Sequence, residues 1–145
     1  WFGTPSMATV TIIVVSIWQN IGFLMIIYTA GLQTIPKDVM ESAELDGCSG
    51  LKKVLKIELP LLMPTVTINL FVSISGAFKS FDIPNAMTGG GPYGSTMPVA
   101  MNIYQEAFTK YNLGYGSAKS VILFLTVAAV TLIQLYCTRK KEVEY

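Results

Sequence analysis

The 145-residue chain contains no histidine, so no His-based triad, imidazole general base or histidine zinc ligand can form within it. The glycine run in "MTGGGPYGST", residues 87–96, lacks the Gly-Lys-Ser or Gly-Lys-Thr ending of a phosphate-cradling loop. Any nucleotide hydrolysis that serves this protein therefore belongs to another chain. What remains is neutral polar chemistry. Ser16, Gln19, Asn20 and Phe23 lie three or four positions apart and share one helix face, and Ser73, Gly76, Ala77 and Ser80 repeat that spacing. Hydroxyls and amides beside an aromatic ring suit a neutral polyhydroxylated solute, with hydrogen bonds to its hydroxyls and a flat surface for its C–H face. The same Ser, Gly and Ala spacing also lets helices approach closely in a membrane, and both readings stand.

Such residues need long apolar elements to position them, and the composition supplies these. Hydrophobic residues make up 52% of the chain and charged residues 13%, against about 25% charged in ordinary globular domains. Three uncharged windows, 8–32, 59–78 and 120–137, are expected to cross a bilayer, the second with Pro60 and Pro64 near its start. The first lacks the basic leading region of a signal peptide. Placing residues 33–58 and the tail after Cys137 in the cytoplasm puts Lys37, Lys52, Lys53, Lys56, Arg139, Lys140 and Lys141 on that side. Only Lys79, Lys110 and Lys119 remain outside. The positive-inside rule favours this orientation, with residues 79–117 as an external loop. Cys48 and Cys137 both fall on the reducing side and are read as small apolar residues without a disulfide. Because the chain opens on Trp1, it is expected to be the carboxy-terminal part of a larger membrane protein. With a formal net charge of +1 and no basic patch interleaved with aromatics, no nucleic-acid partner is expected.

Between the first two windows lies the charged stretch "ESAELDGCSGLKKVLKIELP", residues 41–60. Pro36 suits a first helical turn, Asp38 and Glu41 place acids near its positive end, and Val39, Met40 and Ala43 recur at helical spacing. Gly47 can take the left-handed conformation that closes a helix, and Ser49 can cap the next. Leu51, Val54 and Leu55 then form an apolar stripe with Lys52, Lys53 and Lys56 on other faces. The expected element is a helix-turn-helix on the cytoplasmic face, either docked on a partner or resting on lipid headgroups.

The ordered residues of that stretch resemble the cytoplasmic loop of permease subunits in bacterial ATP-binding cassette importers. There the signature is Glu-Ala-Ala, three further residues, Gly, and later Ile-x-Leu-Pro. Glu41, Ser42, Ala43, Asp46-Gly47, Ile57, Leu59 and Pro60 match it, with Ser42 in place of the first Ala and Val54 where a Phe is common. "TGGGPYGST", "YQEAF", "NLGYGSA" and the last apolar window are similar to the external loop and terminal span of maltose-type carbohydrate permeases, in particular the larger of the two maltose permease subunits. The resemblance implies an all-α integral membrane fold, part of a larger type I importer permease, with three spans and a cytoplasmic coupling helix-turn-helix. It implies inward carbohydrate movement driven by separate ATP-hydrolysing nucleotide-binding subunits, which would hold the ATP and magnesium, so that this chain carries no cofactor or metal. Its further implied partners are a second homologous permease subunit, an extracytoplasmic sugar-binding protein and the lipid bilayer. Glu41 would pair with a basic residue of the ATPase subunit, and Gly47 would make the tight turn of the elbow.

Two other function classes fit less well. An ion-coupled secondary transporter ordinarily carries an intramembrane acid or interrupted helices, and no acid falls at mid-span here. A permease for another solute class stays as an alternative cargo. A membrane enzyme would need more than Asp82 and Glu106, the carboxylates of the outer side, neither beside an obvious base or nucleophile. Lys79 and Asp82 are read as interfacial, Tyr104, Tyr111 and Tyr115 as an outer aromatic belt, and residues 97–112 as a short amphipathic helix near the outer surface.

Overall fold

The computed structural model of the chain describes residues 2–139, whose regular structure is entirely helical. Trp1, Lys140 and Lys141 lie outside the described residues. In chain order the helices are α1 (Pro5–Gln33), α2 (Lys37–Leu45), α3 (Leu51–Leu61), α4 (Met63–Phe78), α5 (Asp82–Thr88), α6 (Val99–Tyr104, continued by a π-turn at Gln105–Thr109) and α7 (Leu113–Arg139). Helices α1 and α7 are each long and apolar enough to cross a membrane, and α3 with α4 makes a third, bent crossing if the pair is one span. At about 1.5 Å per residue α1 reaches roughly 44 Å and α7 roughly 40 Å, beyond the ~30 Å hydrocarbon core, whereas α4 alone reaches only about 24 Å. The chain is an all-α integral membrane protein.

Helix α1 is apolar on every side, with Val10, Ile13, Ile17, Trp18 and Met25 all exposed, as a span facing lipid or other protein requires. Its threonines do not leave hydroxyls unpaired there: Thr9, Thr11 and Thr29 donate to the carbonyls of Pro5, Met7 and Met25 at 2.8–2.9 Å.

The second apolar window differs from its sequence outline. Rather than starting a straight span at Leu59, the chain continues α3 through Leu59 and Pro60 and bends by 68° before α4 begins at Met63. Two prolines explain this. Pro60 cannot donate to the carbonyl four residues back, and within the π-turn Val54–Glu58 the ladder is already widened, with the Leu59 N–H reaching the Val54 carbonyl. Pro64 removes the next bond of that ladder, and its ring clashes with the carbonyl of residue 60, so the axis turns at Leu62. The ladder resumes with the Val66 N–H on Leu62 O at 3.0 Å.

The chain divides into two compact units, to each of which α1, α4 and α7 contribute a segment. The first comprises residues up to Ile21 together with Ser73–Thr131. Here the amphipathic helix expected over residues 97–112 forms at Val99–Thr109, and an unpredicted helix, α5, forms at Asp82–Thr88. Gly116 packs on α6 so tightly that a Cβ there would lie 2.8 Å from Ala107 Cβ. Tyr104 sits between Phe81 and Phe108, ring centroids 5.2 and 5.1 Å away. Glu106 is not isolated: it accepts from Lys110 Nζ at 2.8 Å and lies 3.6 Å from Lys119 Nζ, while Lys119 also donates to Asn102 Oδ1 at 2.7 Å. The Lys119 ammonium further stands 4.4 Å from the Tyr115 ring centroid, so a cation in the first turns of α7 is satisfied from three directions.

The Lys110 hydrogen bond holds the Glu106 carboxyl below the usual carboxylate range, against the opposing effect of its burial. A folded-state pKa below the unfolded one contributes stability above the ordinary carboxylate value, lost as pH falls through the lowered value. Thermal unfolding followed from pH 7 downward should therefore show a smaller acid-side loss in Glu106→Gln than in the wild type. Equal acid sensitivity in both proteins would remove Glu106 as the linked group.

The second unit comprises Gly22–Val72 and the segment from Leu132. Gly31 of α1 meets Thr65 of α4 at a distance no side chain could share: a Cβ on Gly31 would fall 2.1 Å from Thr65 Oγ1. Nearby, Asn69 Nδ2 makes a long contact of 3.5 Å to the Leu24 carbonyl, and Gln134 Nε2 of α7 reaches the Thr67 carbonyl at 3.4 Å and Thr138 Oγ1 at 3.2 Å. Asn69 is 3% exposed, and its Oδ1, like Gln134 Oε1, is buried without a hydrogen-bond donor among the described residues. A buried acceptor left so costs on the order of 1–3 kcal/mol.

Candidate functional site

The charged stretch folds as the helix-turn-helix its residues dictate, within the second unit. Pro36, extended at φ −60° and ψ 134°, stands at the N-cap position and α2 starts one residue later at Lys37. Asp38 lies in the first turn, where a carboxylate complements the helix dipole.

The far end of α2 closes by a pair of nested hydrogen bonds. The Gly47 N–H donates to the Glu44 carbonyl at 3.0 Å and the Cys48 N–H to the Ala43 carbonyl at 2.9 Å, with Gly47 at φ +72°. This is the Schellman arrangement, in which the residue after the C-cap must be left-handed and the residues spanned by the outer bond pack together. Ala43 and Cys48 are accordingly both buried. The local physics thus accounts for a small residue at 43 and glycine at 47. A Cβ on Gly47 would meet nothing within 4 Å, so the requirement is one of backbone torsion and not of space.

The second half of the turn differs from the sequence reading. Ser49 does not cap α3; Gly50 holds that position at φ 58° and ψ −137°, without a side-chain cap. That combination of torsions is open essentially to glycine alone. The sequence signal for it was the second glycine of "GCSG", three residues after the first, masked by the more familiar capping role of serine.

The remaining residues of the matched signature sort themselves by exposure. Glu41 is exposed and makes no ion pair among the described residues, because Lys53 pairs instead with Glu44, at 2.6 Å. That hydrogen bond holds the Glu44 carboxyl below its usual range, and it ties α3 back to α2 across the turn. Ser42 turns its hydroxyl onto the Asp38 carbonyl at 2.8 Å, so serine here presents no free polar group beyond what alanine would. Asp46 is the exposed C-cap of α2. Ile57 and Pro60 are half-buried, and Leu59 is exposed. Leu45 and Leu51, on either side of the turn, are 90% and 78% exposed, leaving an apolar tip on an otherwise charged element.

The residues proposed for a solute path are less drawn together. Asn20 Nδ2 donates to the Ser16 carbonyl at 2.8 Å, turning the amide back on its own helix. Ser16 and Ser80 are half-buried, while Ser73, Gly76, Ala77 and Phe23 are exposed. Among the described residues no hydrogen bond joins Ser16 or Asn20 to Ser73 or Ser80. The amides that sequence reading passed over are buried Asn69 and half-buried Gln134; an amide inside an apolar window was the signal that could have found them.

Comparison with known proteins decides what kind of chain this is. Residues 1–143 match the model of the family described as the binding-protein-dependent transport system inner membrane component. The chain belongs to this family. Among its relatives the chain is 38% identical over 144 residues to the probable starch degradation products transport system permease protein AmyD of Thermoanaerobacterium thermosulfurigenes, covering 99% of this chain and 49% of the relative. It is 39% identical over 142 residues to the sulfoquinovosyl glycerol transport system permease protein SmoG of Agrobacterium fabrum, covering 98% and 46%. It is 38% identical over 138 residues to the trehalose/maltose transport system permease protein MalF of Thermococcus litoralis, covering 93% and 45%. The chain thus spans about half the length of these three relatives. The family is one of inner-membrane transport components, in keeping with the apolar helices α1 and α7.

Proposed function

We propose that the chain is part of a permease subunit that moves a carbohydrate inward, driven by ATP hydrolysed with magnesium on separate nucleotide-binding subunits. In this reading the chain itself performs no catalysis. A second homologous permease and an extracytoplasmic sugar-binding protein complete the transporter. The observation that carries the reading is the elbow. A turn locked by nested hydrogen bonds and the Glu44–Lys53 pair presents Glu41, unpaired among the described residues, and the apolar tip of Leu45 and Leu51, and is covalently continuous with α4 through the bend at Leu62. A rigid elbow so joined passes a displacement at its tip into a tilt of the membrane helix, the rigid-body motion that alternating access needs. The carbohydrate cargo is supported by the transport roles for which relatives such as AmyD and MalF are named, and by neutral hydroxyl and amide groups at Ser16, Asn20, Ser73 and Ser80.

Uptake of labelled oligosaccharides into vesicles holding the complete transporter tests the reading. Accumulation of one sugar is expected only with ATP available to the ATPase subunits, and is expected to persist when ionophores collapse all ion gradients. Uptake that follows an ion gradient and ignores ATP would make the protein a secondary transporter.

A further inference from the structure

The glycine-rich segment between α5 and α6 is a firmly built turn with an aromatic ring at its apex. At its base the Thr88 hydroxyl accepts from the Gly90 N–H at 3.2 Å and lies 2.7 Å from the Thr96 hydroxyl, which donates to the Gly91 carbonyl at 2.6 Å. Gly90 is buried under the methyl groups of Met97 and Met101. Above this base Pro92–Ser95 closes as a tight turn, the Ser95 N–H donating to the Pro92 carbonyl at 3.0 Å.

Both central residues of that turn are left-handed, Tyr93 at φ 55° and Gly94 at φ 73°. Asn-Gly fills such a pair best, because asparagine tolerates the conformation and glycine adopts it freely. Tyrosine does neither, since its Cβ crowds the backbone. Among the described residues the ring gets no contact in return, for Tyr93 is 98% exposed. A side chain that strains its own turn and rests on nothing among those residues has its compensation outside them.

We infer that Tyr93 is an anchor by which the permease engages its extracytoplasmic binding protein. The inference rests on the importer reading above and on its external placement of this loop. A partner protein is favoured over lipid by the company the ring keeps. Gly89, Gly94 and Ser95 are exposed, uncharged and without apolar side chains, whereas attachment to headgroups uses basic residues and several apolar groups together. A lone tyrosine on a preorganised base is the kind of group that dominates protein interfaces. The family's dependence on a binding protein supplies the partner.

The test uses the complete transporter, with ATP hydrolysis measured against rising concentrations of its own binding protein, in lipid vesicles and in detergent. For Tyr93→Asn the Tm should be equal to or above wild type, and basal and saturated rates should be unchanged. Half-maximal stimulation should need about tenfold more binding protein, equivalent to 1.4 kcal/mol of contact. Tyr93→Phe, which keeps the ring, should stay within about threefold of wild type. An unshifted half-saturation in Tyr93→Asn overturns the inference while leaving the importer reading intact, as does a shift seen in vesicles and absent in detergent, which would put the ring among headgroups. If the binding protein fails to stimulate the wild type, the importer reading fails and the anchor falls with it.

Discussion

Replacing Gly47 with valine is expected to reduce ATP-driven uptake by tenfold or more while the ATPase subunits continue to hydrolyse. The position is left-handed at φ +72°, where an L-residue costs about 1–2 kcal/mol and a β-branched one more. Relaxing that torsion breaks the Cys48 to Ala43 bond that closes α2, so α3 leaves the turn in a new direction. On the coupling role proposed for it, the elbow then no longer transmits its displacement to α4. Because a Cβ at 47 meets nothing within 4 Å, asparagine, which tolerates the left-handed region, should keep at least half of the uptake. Side-by-side uptake and hydrolysis assays of the two variants check this. Normal transport by Gly47→Val would mean that the torsion is dispensable.

The elbow was legible because its determinants are local. Pro36, Asp38, Ala43 and Gly47 act over one turn each, and a helix end closed by glycine has few alternatives. Ser49 misled for the same reason: its local preference for a cap is real, but the chain must reverse first, and only Gly50 can take φ 58° with ψ −137°. The bend at Leu62 needed two prolines to be read as acting on one ladder, where each alone suits a helix start. Burial was harder still. Nothing in the pattern around Asn69 says that its amide faces α1, and nothing around Gly31 says that Thr65 lies against it, because both depend on which helices meet. In the first unit, by contrast, Glu106 and Lys110 are four apart on one helix, and their pair could have been anticipated from spacing alone.

That unseen contact gives the second large effect. Gly31→Ala would bring Cβ to 2.1 Å from Thr65 Oγ1, 2.7 Å from its Cγ2 and 2.8 Å from its Cβ, so rotating the threonine cannot clear the clash and the helices must part. Overpacking of this kind costs about 1–3 kcal/mol. A fall of several degrees in thermal unfolding is expected, and Thr65→Gly, which removes all three atoms, should restore part of it when combined with Gly31→Ala. Gly22 lies on the same helix with nothing within 4 Å of its Cβ position and serves as the control. Gly22→Ala should be neutral or stabilising by up to about 1 kcal/mol through helix propensity alone. Equal effects of the two alanines would show that the Gly31–Thr65 approach carries no weight.

The coupling role of residues 37–61 depends most on what the elbow touches. Its apolar tip, Leu45 and Leu51, could rest on lipid or in a cleft of the ATPase subunit, and the two differ in a way that cross-linking reads directly. In a transporter whose permease carries Cys48→Ala, Cys137→Ser and Leu45→Cys, a short bifunctional thiol reagent should join position 45 to a cysteine placed in the ATPase subunit's cleft. The yield should change when ATP is bound. A Leu45→Cys thiol that forms no such link, and is instead quenched by lipid-soluble reagents, would contradict the coupling role of residues 37–61.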